Sequence, residues 1–83
     1  MNPRVLKVRP LEDFRLYIVF DNGEERIFDV SPYLERGIFT ELKAPSQFSS
    51  VRVAEGTVQW ANEADFCPDT LYEDSVPYNI KTK

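Results

Sequence analysis

Four carboxylates and the only cysteine lie within ten residues of one another, and these are the side chains best suited to chemistry. Asp65, Asp69, Glu73 and Asp74 surround Cys67. Paired carboxylates can act as general acid and base, or can hold a hard cation such as Mg²⁺ or Ca²⁺. The spacing lacks the alternating ligands and central glycine of an EF-hand loop. We therefore expect Asp65 to cap or brace a loop, Asp69 to lie in a first helical turn, and no metal or cofactor to bind.

Nucleophilic catalysis needs a base beside the nucleophile, and the sequence contains no histidine for that role. This excludes His-based acid–base catalysis and His-ligated metals. We expect Cys67 to be a small buried core residue and Ser31, which precedes Pro32, to be a helix cap. Trp60 could stack on a ligand, but it shares a strand face with Val58, which favours the core. The sequence thus predicts no catalytic residue and no enzyme.

The balance of charge argues against nucleic acid as a direct partner. Lys and Arg number 10 against 14 Asp and Glu, for a net charge of −4. Residues 1–20 hold four basic and two acidic side chains, so the remainder of the chain is strongly acidic. An acidic domain repels phosphate, and cations that alternate along a strand are typical of a solvated face. We expect no direct binding of nucleic acid.

The length of 83 residues allows one small domain. The N-terminal residues lack the apolar run of a signal peptide, and no apolar stretch approaches the roughly 18 residues of a membrane span. A lone cysteine forms no internal disulfide, which suits a reducing compartment. We therefore expect a cytoplasmic protein that does not bind membranes.

The first half of the sequence predicts an antiparallel meander. Leu6 and Val8 alternate with Lys7 and Arg9, which indicates a half-buried strand. A strand rich in β-branched and aromatic residues follows at 14–20, and Asp-Asn-Gly then signals a hairpin before the returning strand.

The length of the hairpin loop decides which side chains face the core, because a shift of one residue exchanges the faces of a strand. A two-residue loop would turn Glu25 and Asp29 inward. A three-residue loop, with its glycine in the left-handed position, turns Phe28 and Val30 inward instead. We favour the three-residue loop, although it leaves Arg26 facing the core.

The same register leaves an apolar stripe on the outer face of the sheet. It places Tyr17, Val19 and Ile27 there, with Val5 beside them. A second apolar stripe needs a cover: residues 31–48, the C-terminal tail or another chain. We predict that these four residues form an interaction surface for a protein partner or for self-association.

The remaining sequence predicts short elements. Helical turns are expected at 31–37 and 38–42, a second hairpin at 51–60, and a short helix further on, with a proline near its start. The fold class is α+β: a small antiparallel sheet, built from an N-terminal meander and a second hairpin, with short helical turns. We expect a single domain over residues 1–75 and a frayed tail at 76–83.

Several segments resemble the domain-of-unknown-function 2442 family of small, mostly bacterial proteins. They are Phe-Asp-Asn-Gly-Glu (20–24), Phe-Asp-Val-Ser-Pro (28–32), Gly-Thr-Val-Gln-Trp (56–60) and Ala-Asp-Phe-Cys-Pro-Asp-Thr-Leu-Tyr (64–72). The resemblance covers roughly residues 4–74. Glu63 departs from it, because a glycine is expected there, and we therefore expect a less sharp turn at 62–63.

The resemblance implies a compact α+β domain without an established activity. Some relatives carry a helix-turn-helix DNA-binding domain after this one, and others resemble partners of a small neighbouring protein. No helix-turn-helix is present in this sequence, so any DNA role is expected to come through a partner. We expect a non-catalytic protein-interaction or regulatory module of the bacterial cytoplasm. The alternative is an antitoxin-like member of a two-protein operon pair that sequesters its small partner.

Overall fold

A computed structural model of the chain describes residues 3–78. Its strands are β1 (Val5–Leu11), β2 (Arg15–Phe20), β3 (Glu25–Asp29), β4 (Arg52–Ala54), β5 (Thr57–Gln59) and β6 (Val76–Pro77). Its α-helices are α1 (Pro45–Phe48) and α2 (Pro68–Asp74), and 3-10 helices span Glu12–Phe14, Ser31–Tyr33 and Gly37–Lys43. An antiparallel sheet has the order β1-β2-β3-β6, and β4 pairs with β5 in a separate hairpin. The predicted α+β class is confirmed.

The β2–β3 hairpin has the predicted three-residue loop. Leu16 lies opposite Phe28, and Val19 lies opposite Glu25. Gly23 closes the loop with a φ of 90°, in the left-handed region that glycine adopts without steric cost. The apolar alternation of the two strands therefore determines the register, because this pairing places Phe28 beside Leu16, whereas a shift of one residue would turn Glu25 and Asp29 toward the core.

Arg26 faces the core side of this hairpin, as the register requires, and its charge is compensated there. The Arg26 side chain is only 15% exposed, and its Nη1 lies 2.8 Å from Glu24 Oε1. Its Nε donates a hydrogen bond to Ser75 Oγ at 2.7 Å, and its guanidinium carbon lies 4.6 Å from the centroid of the Tyr72 ring. These partners satisfy a half-buried cation that would otherwise destabilise the core.

A bulge near the start of β1 changes which of its side chains face the core. Val5 pairs with the last residue of β2 and Lys7 with Val19, so Leu6 is the extra residue. Val5 is consequently buried, whereas the sequence predicted it on the outer face. Leu6, predicted to lie with Val8 on the buried face of the strand, is 58% exposed. Val8 faces the core side as predicted, since it lies beyond the bulge.

The core lies between the inner face of the sheet and the segments that follow it. Leu34, Leu42 and Phe48, from the segment between β3 and β4, all belong to the core cluster. Trp60 is 0% exposed, and its indole N–H donates a hydrogen bond to the Phe48 carbonyl at 3.0 Å. The predicted core position of Trp60 is confirmed.

The predicted helical segments lie where the sequence places them, but their caps and bounds differ from the prediction. Ser31 is not an N-cap: Val30 occupies that position, and the Ser31 hydroxyl donates to Asp29 instead. The helix α1 was not predicted, because it is a single turn over four residues. The helix α2 begins at Pro68, as its proline indicated. Within residues 3–78 no helix is both long and apolar enough to cross a lipid bilayer.

The end of the described chain joins the sheet. Val76 pairs with Ile27, and Pro77 pairs with Arg26. The predicted frayed tail began at residue 76, so the structure places its first two residues in a strand. Residues 79–83 of that tail lie outside the described part of the chain.

Candidate interaction surface

The outer face of the four-stranded sheet is defined by the strand pairing. Lys7, Arg9 and Leu11 of β1 pair with Val19, Tyr17 and Arg15 of β2, which in turn pair with Glu25, Ile27 and Asp29 of β3. Val76 of β6 extends the row through Ile27. Since alternate residues of a strand face the same side, these ten side chains form one surface, which we call the outer face.

The centre of the outer face is apolar. Tyr17, Val19 and Ile27 are half-buried, and none of them belongs to the core cluster. Val76, next to Ile27, is 60% exposed. The structure therefore brings together three of the four residues predicted for an interaction surface. The fourth, Val5, lies in the core instead, because the β1 bulge inverts its orientation.

Aromatic and charged groups border this apolar centre. The Tyr78 ring meets the Tyr17 ring edge to face at 5.4 Å, and the Arg9 guanidinium lies 5.6 Å from the centroid of the Tyr17 ring. Together with Leu11 and Glu25 they line a shallow depression of about 330 Å³. Burial, with a smaller contribution from the Glu25 carboxylate, raises the pKa of Tyr17 above its ordinary value of 10.0. The hydroxyl is therefore neutral and able to donate a hydrogen bond at physiological pH.

The sequence named the C-terminal tail as one possible cover of the stripe, and Val76 and Tyr78 of that tail do reach it, although neither was predicted as part of the surface. Tyr78 is held beside β3 because its backbone N–H donates to the Glu25 carbonyl at 2.9 Å. The available signal was the period-two spacing of Val76 and Tyr78, which is typical of a strand. The pairing itself depends on the tertiary fold, which brings these residues back to β3.

The charges of the outer face are separated by strand. Lys7 and Arg9 lie on the β1 side, and Arg15 lies on β2. Glu25 and Asp29 lie on β3. The basic residues of this surface therefore lie on β1 and β2, and the acidic residues lie on β3.

The carboxylates near α2 do not gather into a metal site. Among residues 3–78 no group of three or more His, Cys, Asp or Glu side chains is placed to hold a metal ion. Asp74 accepts a hydrogen bond from the Tyr33 hydroxyl at 3.1 Å, and burial together with this bond raises the pKa of Tyr33. Asp69 lies in the first turn of α2, as predicted. Asp65 does not cap α2, because Cys67 holds the N-cap position, but it pairs with Gln59 in an isolated β-bridge that braces the loop.

Cys67 is exposed, which corrects the prediction that it would be buried. The residue before it, Phe66, is buried and stacks with Phe39, with ring centroids 4.8 Å apart. Cys67 itself has extended backbone angles, φ −65° and ψ 136°. Because successive side chains of extended backbone point to opposite sides, the burial of Phe66 turns Cys67 toward solvent.

Comparison with known proteins agrees with the resemblance seen in the sequence. Residues 5–77 match the model of a family described as a protein of unknown function, DUF2442. Neither the curated proteins nor the solved structures gave a match to the chain. The matched span contains all six strands of the fold, so the family model covers both the core and the outer face.

Proposed function

The chain belongs to the DUF2442 family, and we propose that it works without catalysis, as a module that binds another protein through the outer face of its sheet. The observation that carries this proposal is the stripe formed by Tyr17, Val19 and Ile27 on the side of the sheet opposite the core. An apolar stripe rimmed by charged residues is typical of a protein contact surface.

Two carboxylates that could do chemistry are instead hydrogen-bonded within the fold, which supports a non-catalytic role. Glu24 accepts hydrogen bonds from Arg26 and from the Tyr72 hydroxyl, and Asp74 accepts one from Tyr33. These carboxylates hold elements of the fold together. In this proposal the protein is a regulatory component of a bacterial cytoplasm. It binds its partner and either blocks the partner's binding surface or presents the partner to other molecules. The antitoxin-like alternative stays a prediction, since no contact within residues 3–78 favours it.

Burial of the stripe supplies the driving force for binding. Apolar surface removed from water contributes about 25 cal/mol per Å², so covering side chains such as Val19 or Val76 contributes up to roughly 1.5–3 kcal/mol each. Part of this gain is lost to the entropy cost of association. A charge introduced at the centre of the stripe should therefore weaken binding strongly.

The test is capture of partners from native cell extract by tagged wild type, Val19→Lys and Val53→Lys proteins. Val53 is a matched control, because it is 37% exposed and lies on β4, outside the four-stranded sheet. We expect the wild type and the Val53→Lys protein to retain the same specific partner, and the Val19→Lys protein to lose it. Equal capture by all three folded proteins would refute binding through the outer face.

A further inference from the structure

We infer that the outer face binds a second copy of this chain, packed face to face around a twofold axis that runs along β2. The inference rests on the proposed function and names the partner that the surface itself fits.

Two of the three rows across the outer face contain both a basic and an acidic residue, and in both rows the basic residue lies nearer to β1. In one row Lys7 of β1 lies next to Val19 of β2, and Val19 lies next to Glu25 of β3. In the row at the other end of the strands, Arg15 of β2 lies next to Asp29 of β3. Basic groups therefore lie toward one edge and acidic groups toward the other.

This order makes the surface complementary to itself under one kind of symmetry. A twofold axis along β2 reverses the strand order in the second copy, so Lys7 lies over Glu25 of the second copy, and Glu25 lies over its Lys7. Residues of β2 meet their own counterparts at the axis, so Val19 meets Val19, and Arg15 meets Arg15 between the Asp29 carboxylates of the two copies. An axis across the strands would instead oppose basic to basic and acidic to acidic, which is unfavourable.

The packing of two such sheets is physically ordinary. Face-to-face sheets pack about 10 Å apart with their strands within about 30° of alignment. At this separation a lysine from one sheet can reach a glutamate on the other. The Tyr17 and Ile27 side chains would then lie at the centre of the interface, with the two Lys7–Glu25 ion pairs at one end of it.

The size of the face predicts a weak dimer. The axis along β2 overlaps three strands, so seven residues of β1, at about 3.3 Å each, and three strands at about 4.8 Å give a patch of roughly 330 Å² on each copy. The total of roughly 660 Å² is below the standard size of specific protein interfaces and falls among weak, transient ones. We therefore expect a dissociation constant in the micromolar range, and measurements must extend to about 500 μM chain.

The experiment is sedimentation equilibrium of wild type, Lys7→Glu and Glu25→Lys proteins, alone and mixed. In a Lys7→Glu homodimer both ion pairs become glutamate against glutamate, and in a Glu25→Lys homodimer both become lysine against lysine. We expect each variant alone to dimerise at least about tenfold more weakly than wild type. An equimolar mixture should form a heterodimer within about threefold of wild-type affinity, because every pair is then opposite in charge.

Two further proteins serve as controls. Lys43→Glu makes the same charge change in a 3-10 helix away from the outer face, and its dimerisation should equal that of wild type. A chain that carries both Lys7→Glu and Glu25→Lys should dimerise like wild type. Circular dichroism should show the same fold for all of these proteins.

A wild type that stays monomeric to about 500 μM, or a mixture no more associated than its components, would overturn the inference. So would single variants that dimerise like wild type. These results are distinguishable from failure of the proposed function. If self-association fails but the wild type captures a different protein that Val19→Lys does not capture, the proposed function stands and only the identity of the partner is wrong.

Discussion

Glu63 holds a backbone conformation that ordinarily favours glycine. Its φ is 74°, and its N–H donates to the Trp60 carbonyl at 2.9 Å. The Trp60 N–H in turn donates to Ala64, also at 2.9 Å. The sequence predicted a less sharp turn here, because a glutamate stands where a glycine is expected. The structure instead retains a tight turn, since buried residues on both sides of it fix the path of the chain.

Glu63→Gly should therefore stabilise the protein. A side chain at positive φ costs on the order of 1 kcal/mol, and glycine removes that cost. The control is Glu63→Ala, which removes the same carboxylate but keeps the Cβ. We expect urea unfolding to give about 1 kcal/mol more stability for the glycine variant than for the alanine variant. Equal stability of the two would show that the turn is not strained.

The exposed thiol of Cys67 makes a second prediction at the scale of single residues. In the folded protein Cys67 should react with a disulfide reagent at nearly the rate seen in denaturant, because its side chain faces solvent. Cys67→Ser should change the free energy of unfolding by less than about 0.5 kcal/mol, as exposed substitutions usually do. Protection of the thiol in the native protein would instead restore the buried position expected from the sequence.

At the scale of elements, local pattern predicted the hairpins and missed the features that depend on distant contacts. The β2–β3 register followed from the alternation of apolar side chains. The bulge at Leu6 has no local signal, since it is fixed where Val5 donates a backbone hydrogen bond to Gly56 at 2.9 Å. Likewise, Arg26 donates a hydrogen bond to Ser75, which lies 49 residues further along the chain. No local pattern could have identified this partner.

The contacts of Glu24 join the β2–β3 hairpin to α2. The Tyr72 hydroxyl donates to Glu24 Oε2 at 2.7 Å, and Arg26 donates to Glu24 Oε1 at 2.8 Å. The hydrogen bond from Tyr72, followed by that from Arg26, lowers the pKa of Glu24 below its ordinary value of 4.5. The same bond to Glu24 is the main cause that raises the pKa of Tyr72. The stabilisation from ionised Glu24 is therefore present above pH 4.5 and is lost as the pH falls through the lowered pKa.

Tyr72→Phe should reduce the sensitivity of this connection to acid. The variant loses the hydrogen bond that favours ionised Glu24, so it should be less stable than wild type at neutral pH. The difference should shrink as the pH falls below 4.5, where Glu24 becomes protonated in both proteins. Urea unfolding at several pH values measures this, with Tyr78→Phe as the control for loss of a phenol. A difference that is constant with pH would contradict the role of Glu24.

At the scale of the whole molecule, the sheet separates two apolar layers with different roles. The inner layer includes Phe20, Phe28 and Trp60, and the chain covers it with its own segments. The outer layer, centred on Val19 and Ile27, contributes nothing to the core cluster. The sequence predicted the outer stripe from register alone. The C-terminal tail was one of the three predicted covers of this stripe, but its pairing with β3 depends on tertiary contacts that no local pattern specifies.

A dilution series of ¹⁵N-labelled wild type, followed by amide chemical shifts, tests the central claim that the outer face is the contact surface. Between about 10 and 500 μM we expect concentration-dependent shifts at Tyr17, Val19 and Ile27 and in their neighbours on β1 and β3. The amides of Val53 and Val58 in the separate β4–β5 hairpin should keep constant shifts over the same range. Shifts confined to that hairpin, or no change anywhere in the spectrum, would contradict the account.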